Sequence, residues 1–260
     1  MRRLLALMLP TALLAGGLAG VSQAGTDDQD PAGDADRATR GARGEVVKVD
    51  DARLKFEIND TDGDGGIQLF LDAEQWKWMS LHDPSGRRIL KVRTQGIMAL
   101  QGGTELFMES AEPTFDTLPL DELLERWPAG TYKVRGRGLE GERYRGKARL
   151  THDLPDGPRL LRPVDGAGPQ DPDRTVLRWR RVPPPNGSPI IGYQVLVVEP
   201  DTGIRALPNI TLDVTMPPDA NRMRVPRGFL KPDTEYEWEV LAIERGGNQT
   251  LSSAEFVTAD

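Results

Sequence analysis

The sequence predicts an all-β protein: two tandem β-sandwich domains, with one short helix in the first. Three observations lead there. Short segments alternate apolar and polar residues with period two, the pattern of half-buried strands. Turn-forming residues recur between them, drawn from 28 Gly and 21 Pro. Helical spacing of apolar residues stands out at one place, Leu120, Leu123, Leu124 and Trp127.

The chain opens with Arg2 and Arg3, then an apolar run from Leu4 to Val21 broken only by Thr11, then Ser22-Gln23-Ala24. A charged start, an apolar stretch and small residues at a cleavage site are the layout of a secretory signal peptide over residues 1–24. Pro10, Gly16, Gly17 and Gly20 interrupt the run, which argues against the alternative, a membrane anchor. Residues 25–43 hold no aromatic or large aliphatic side chain. They cannot bury enough area to offset backbone entropy and are predicted to form a disordered tether.

Residues 44–154 are predicted to form the first β-sandwich-like domain. Leu54, Phe56 and Ile58 alternate with polar residues, as do Ile67, Leu69 and Leu71. Further strands are expected over Trp76–Leu81, Arg87–Val92 and Glu105–Met108. Asp83-Pro84-Ser85-Gly86 is a turn signal between two of them. The helix has Pro119 in its first turn, Asp121 and Glu122 at its positive end, and Pro128 to stop it. Tyr132–Arg135 and Arg143–Leu150 then read as a hairpin around Leu139-Glu140-Gly141. Leu154-Pro155-Asp156-Gly157-Pro158 is a boundary at which strand pairing breaks and few apolar contacts are expected to cross.

From residue 158 to 260 the alternation resumes. Leu177 and Trp179 alternate with Arg178 and Arg180; Tyr193, Val195 and Val197 with Gln194, Leu196 and Val198; and Tyr236, Trp238, Val240 and Ala242 with Glu235, Glu237, Glu239 and Leu241. Trp179, Tyr193 and the run Leu230-Lys231-Pro232-Asp233-Thr234-Glu235-Tyr236 resemble the conserved framework of the fibronectin type III domain. The resemblance implies a binding or spacing module, with those residues structural. No Arg-Gly-Asp tripeptide occurs in the chain. The combination of this module, the first block and a signal peptide is similar to secreted bacterial proteins.

Composition removes several chemistries. With no Cys there is no disulfide, thiolate metal site or Cys nucleophile, and two His exclude a three-His metal site. There are 33 Lys and Arg against 40 Asp and Glu, a formal charge of −7; loss of the leader leaves 31 against 40. This balance argues against specific nucleic-acid binding and against attraction to anionic lipid through the overall field, and no membrane span is expected after the leader is removed.

Asp60, Asp62 and Asp64 occupy positions 1, 3 and 5 of a calcium loop, with Gly65 at 6. Leu71 stands where a bidentate Glu belongs, so the alternative is an Asp/Gly-rich turn between strands. Lys133, Arg135 and Arg137 share one face of a strand, and Arg143, Arg145, Lys147 and Arg149 one face of the next. That basic hairpin is a candidate surface for an anionic ligand, for an acidic neighbour such as Glu235, Glu237 and Glu239, or simply for solvent. Trp76, Trp78 and Trp127 are a candidate sugar-stacking platform or core residues. Ser80 or Ser85 with His82 and Asp83 is the nearest approach to a nucleophile and base, and no Gly-x-Ser-x-Gly run accompanies it. The expected function is an exported, non-catalytic protein of the periplasm or cell exterior that binds a protein or polysaccharide. A hydrolase with a site between the modules and a structural spacer are the alternatives.

Overall fold

The computed structural model describes residues 44–260; the predicted signal peptide and tether lie outside the described residues. The chain is all-β, with strands β1 Val46–Lys48, β2 Asp51–Asn59, β3 Asp64–His82, β4 Arg88–Arg93, β5 Gly103–Glu109, β6 Gly130–Gly138 and β7 Arg143–Leu150 around a first core. A one-turn helix, α1 (Met98–Gln101), joins β4 to β5, and α2 (Leu120–Arg126) precedes β6. Strands β8 Leu160–Arg162, β9 Val176–Trp179, β10 Ile190–Glu199, β11 Ile210–Met216, β12 Arg222–Arg224, β13 Glu235–Glu244 and β14 Gln249–Val257 surround a second core.

The alternation read from the sequence places the first core. Leu54 and Phe56 of β2 stand opposite Leu69 and Ile67 of β3, and all four are buried. Gly63, at φ +66°, closes the turn between these strands, where its N–H donates to the Asn59 carbonyl. Helix α2 lays Leu123 on this core, with Leu120, Leu124 and Trp127 half-buried beside it.

The sequence predicts two strands over Ile67–Leu71 and Trp76–Leu81, whereas the structure runs them as one strand of 19 residues. The first half of β3 pairs with β2 and β5, and the second half with β6 and β4. Register shifts at Asp72–Trp76 and at Trp76–Trp78 mark the corner. A strand this long coils and passes between two sets of partners through bulges. Gly103 lets β5 start directly beneath the Trp76 ring, where any Cβ would lie about 2.6 Å from ring carbon.

In the second core the three-stranded sheet β12-β9-β8 packs on β10, β13 and β14. Trp179, Tyr193, Tyr236 and Trp238 are fully buried, and the Trp179 and Tyr193 rings lie 5.7 Å apart. The Tyr236 hydroxyl accepts the Lys231 N–H, the expected corner contact. The Tyr193 hydroxyl accepts the buried Val182 N–H at 2.8 Å. Tyr193→Phe leaves that donor without a partner and should cost about 1–2 kcal/mol, read as a lower urea midpoint; an unmoved midpoint would mean that water or another group satisfies Val182.

The boundary around Pro155–Pro158 does not separate two sheets. Strand β14 pairs in parallel with β2, Gln249 opposite Glu57 and Leu251 opposite Asn59. This join makes one sheet of eleven strands, with β1-β7-β6-β3-β2 on one side, β4 and β5 also paired to β3, and β14-β13-β10-β11 on the other. The two apolar cores stay separate on either side of the join, and each module covers an otherwise open strand edge of the other.

Candidate anion-binding face

Strands β6 and β7 pair with Lys133 opposite Lys147, Arg135 opposite Arg145 and Arg137 opposite Arg143. Tyr132, Val134, Tyr144, Ala148 and Leu150 occupy the alternate positions and fill the core. The seven predicted cations, Arg149 included, are thus all exposed on one face. The neighbouring strands extend it. Lys48 of β1 stands opposite Arg145. On the other flank, Trp78, Ser80 and His82 of β3 stand opposite Arg137, Arg135 and Lys133. Strand β4 then adds Arg93 opposite Trp78, Lys91 opposite Ser80 and Arg88 opposite His82.

Eleven exposed cations therefore share a face five strands wide, and no carboxylate occupies a strand position on it. Cations in one strand repeat about every 7 Å, and adjacent strands lie about 4.8 Å apart. Among the described residues none of the eleven is in an ion pair. Arg137 donates to the Gly141 carbonyl, Arg143 to the Gly44 carbonyl, and the Lys91 ammonium lies 5.0 Å from the centre of the Trp78 ring. Like charges directly opposite one another weaken a sheet. The apolar side of the same strands supplies the burial that holds them in place. Sequence reasoning missed Lys48, Arg88, Lys91 and Arg93. The alternation of Leu90, Lys91, Val92 and Arg93 is visible, but pairing of β4 to the far edge of β3 is a tertiary fact.

With eleven of 33 cations gathered here, 22 are left against 40 carboxylates elsewhere in the chain. Acids concentrate on the opposite half of the long sheet. Glu57, Glu109 and Glu112 place carboxylate oxygens within 4.8 Å of one another. Burial raises Glu57 to about 6, and partial burial with the facing Glu109, Glu57 and Asp64 raises Glu112 to about 7. The chemistry of this cluster is that of an internal network. Gln68 donates to Glu57 and to Glu109, Gln249 donates to Glu57, and Lys55 donates to the Gln249 oxygen. Lys55 supplies the positive charge, and the two amide NH2 groups, rather than oxygens, face Glu57.

The other sequence candidates fall differently. Asp60, Asp62 and Asp64 are not brought to one point; the trio above is the sole such cluster among the described residues. Asn59 accepts the Thr61 and Asp62 N–H groups and donates to the Asp62 carboxylate, Asp60 lies against Gly157, and Asp64 stands in the β3 ladder opposite Asn59. The segment is a hairpin turn built by Asn59. Trp76 and Trp78 do not share a face: the bulge between them turns Trp76 into the core and leaves Trp78 half-exposed among the cations. Trp127 packs near Tyr132.

Ser80 Oγ lies 3.3 Å from His82 Nε2, but the hydroxyl is buried and also donates to the Arg135 carbonyl. The Gly86 carbonyl, not Asp83, meets His82 Nδ1. Asp83 is engaged by Ser85 and Arg87. His152 meets the Trp127 carbonyl and packs edge-on against Phe56. A depression of about 410 Å3 is lined by Glu45, Glu74, Glu140 and Glu142 beside β7, within the first module rather than between the two. Glu235, Glu237 and Glu239 lie on β13 and form no ion pair with the basic face among the described residues.

Residues 166–258 match the family model of the fibronectin type III domain. Among solved structures, the chain is similar to the fibronectin(III)-like modules of Clostridium thermocellum CbhA, at 10% identity over 81% of this chain and 93% of that one, with a TM-score of 0.33. It is also similar to the FN1–FN3 domains of chicken CNTN1, at 12% identity over 84% of this chain and 66% of that one, with a TM-score of 0.32. No curated protein matches by sequence.

Proposed function

With a fibronectin type III domain at residues 166–258 as its second module, we propose that the protein is an exported, non-catalytic binding protein whose cationic face holds an anionic partner. Modules of this family generally bind or space, which supports the reading without naming a ligand. The observation that carries it is the face itself: eleven exposed cations over five strands, without a carboxylate among them. A fold has no internal use for that arrangement, because facing cations oppose the pairing. A polyanion that lies across the strands relieves the repulsion and gains charge-assisted hydrogen bonds to the guanidinium groups. An acidic polysaccharide or an acidic protein surface fits these terms. Among the described residues no helix is long and apolar enough to cross a membrane.

The test uses alginate, a polymer of carboxylated sugars. Binding should weaken as salt rises, and Arg135→Glu with Arg145→Glu should reduce affinity roughly tenfold or more, because the pair sits at the centre of the face. Affinity indifferent to both salt and the double charge reversal would overturn the reading.

A further inference from the structure

We propose that the anionic partner of the cationic face is a lipid bilayer surface, with the α1 turn as an apolar wedge beside it. This rests on the reading of the face as an anion binder and names what it binds. The second observation is independent of charge. Ile97 is 81% exposed, Leu100 83% and Met98 48%, on one short turn. Helix α1 contributes no buried residue to either core. Large apolar side chains held together in water mark an interaction site.

Their place matters as much as their exposure. Strand β4 ends at Arg93, opposite Trp78, and the next residue, Thr94, donates to the Lys77 carbonyl at the β3 corner. The chain turns through α1 and re-enters the sheet at Gly103 against Trp76. The apolar tip therefore rises from the same edge of the sheet that carries Lys91 and Arg93. Half-exposed Trp78 stands at the end of the cationic face next to this corner, opposite Arg93 and Arg137, with Lys91 over its ring. Cations for headgroups, an amphipathic Trp at the boundary and aliphatic side chains beyond it form the sequence of layers that an interface with anionic lipid presents. A hydrated polysaccharide offers nothing for Ile97 and Leu100 to enter.

The experiment is sedimentation of the chain from residue 25 onward, which retains every described residue, with vesicles of phosphatidylcholine alone and of phosphatidylcholine mixed with phosphatidylglycerol. Binding is expected only where phosphatidylglycerol is present. Arg135→Gln with Arg145→Gln should reduce it roughly 25-fold, at about a fivefold loss per cation. Ile97→Ser with Leu100→Ser should reduce it about tenfold or more while alginate affinity, which needs only the cations, stays at the unsubstituted value. All four positions are exposed, and an unchanged melting midpoint verifies the fold. Alginate binding without vesicle binding overturns the lipid inference and leaves the anion-binding reading standing. Vesicle binding that survives Ile97→Ser with Leu100→Ser overturns the wedge, and binding to neither probe removes both.

Discussion

Asn248→Ala is expected to lower the stability of the protein by about 3 kcal/mol, the loss of several buried hydrogen bonds at one point. Asn248 is 1% exposed and stands where the two cores meet. Its side-chain oxygen accepts the Phe56 N–H of β2 at 3.0 Å. Its amide nitrogen donates to the Thr151 carbonyl, the Thr151 hydroxyl and the Asp153 carbonyl. Its own N–H donates to the buried Glu244 carboxylate. One side chain thus satisfies the first module's edge strand and the segment leading to the boundary, and aligns the start of β14 for its pairing with β2. Alanine leaves the Phe56 N–H buried without a partner and frees two carbonyls that water reaches only in part. Asn248→Asp should be as harmful, since a carboxylate keeps the Phe56 contact but turns a second oxygen toward two carbonyls. Urea unfolding followed by tryptophan emission reads the change. A shift below about 0.5 kcal/mol, the size of an ordinary surface substitution, would show that the modules hold their register without this residue.

That junction also shows where sequence reading stops. Alternation located the principal strands because burial on one side leaves a period-two record: Phe56 with Ile67 and Tyr132 with Tyr144 are in the core as their spacing requires. Trp179, Tyr193 and Tyr236 were legible for the same reason and for their family resemblance. The parallel join of β14 to β2 is made by backbone groups and leaves no side-chain period, so the boundary run around Pro155 suggested separation. The 19-residue β3 was legible only as two strands, because the bulge at Trp76–Trp78 shifts the period by one and hides the continuity. The same shift put Trp76 and Trp78 on one face in the linear reading and on opposite faces in the folded chain. For the candidate site, the seven cations of the hairpin followed from alternation alone. The four supplied by β1 and β4 followed from strand order, which pairwise periodicity does not encode. At the Asp60–Asp64 motif the spacing of the acids does not show the local organiser: Asn59 accepts the Thr61 and Asp62 N–H groups and donates to the Asp62 carboxylate.

The largest pH effect is expected from Glu239, where removing a charge should strengthen the fold. Its residue is 4% exposed, and its Oε2 is buried without a hydrogen-bond partner. Burial, then the neighbouring carboxylates of Glu237, Glu57 and Asp62, push it up to about 8 from an ordinary 4.5. Its cross-strand neighbour on β14 is Ser253, and β10 presents Leu196, so no cation faces it from either adjacent strand. The folded state therefore keeps a proton that the unfolded chain releases between about pH 4.5 and 8. Stability from this group is fully present below pH 4.5, falls through that window and is gone above about 8. Glu57, raised to about 6, and Glu237, raised by burial and by Glu255, act with the same sign. Glutamine imitates the protonated carboxyl and has no charge to bury. Glu239→Gln should thus leave stability at pH 5 nearly unchanged and raise it at pH 9 by about 1–3 kcal/mol, a fraction of the full shift because local opening admits water. Paired urea melts at the two pH values read the difference directly. An equal effect of Glu239→Gln at pH 5 and pH 9 would mean that Glu239 ionises in the folded protein as freely as in the unfolded chain, and that the acidic half of the sheet is wetter than its packing implies.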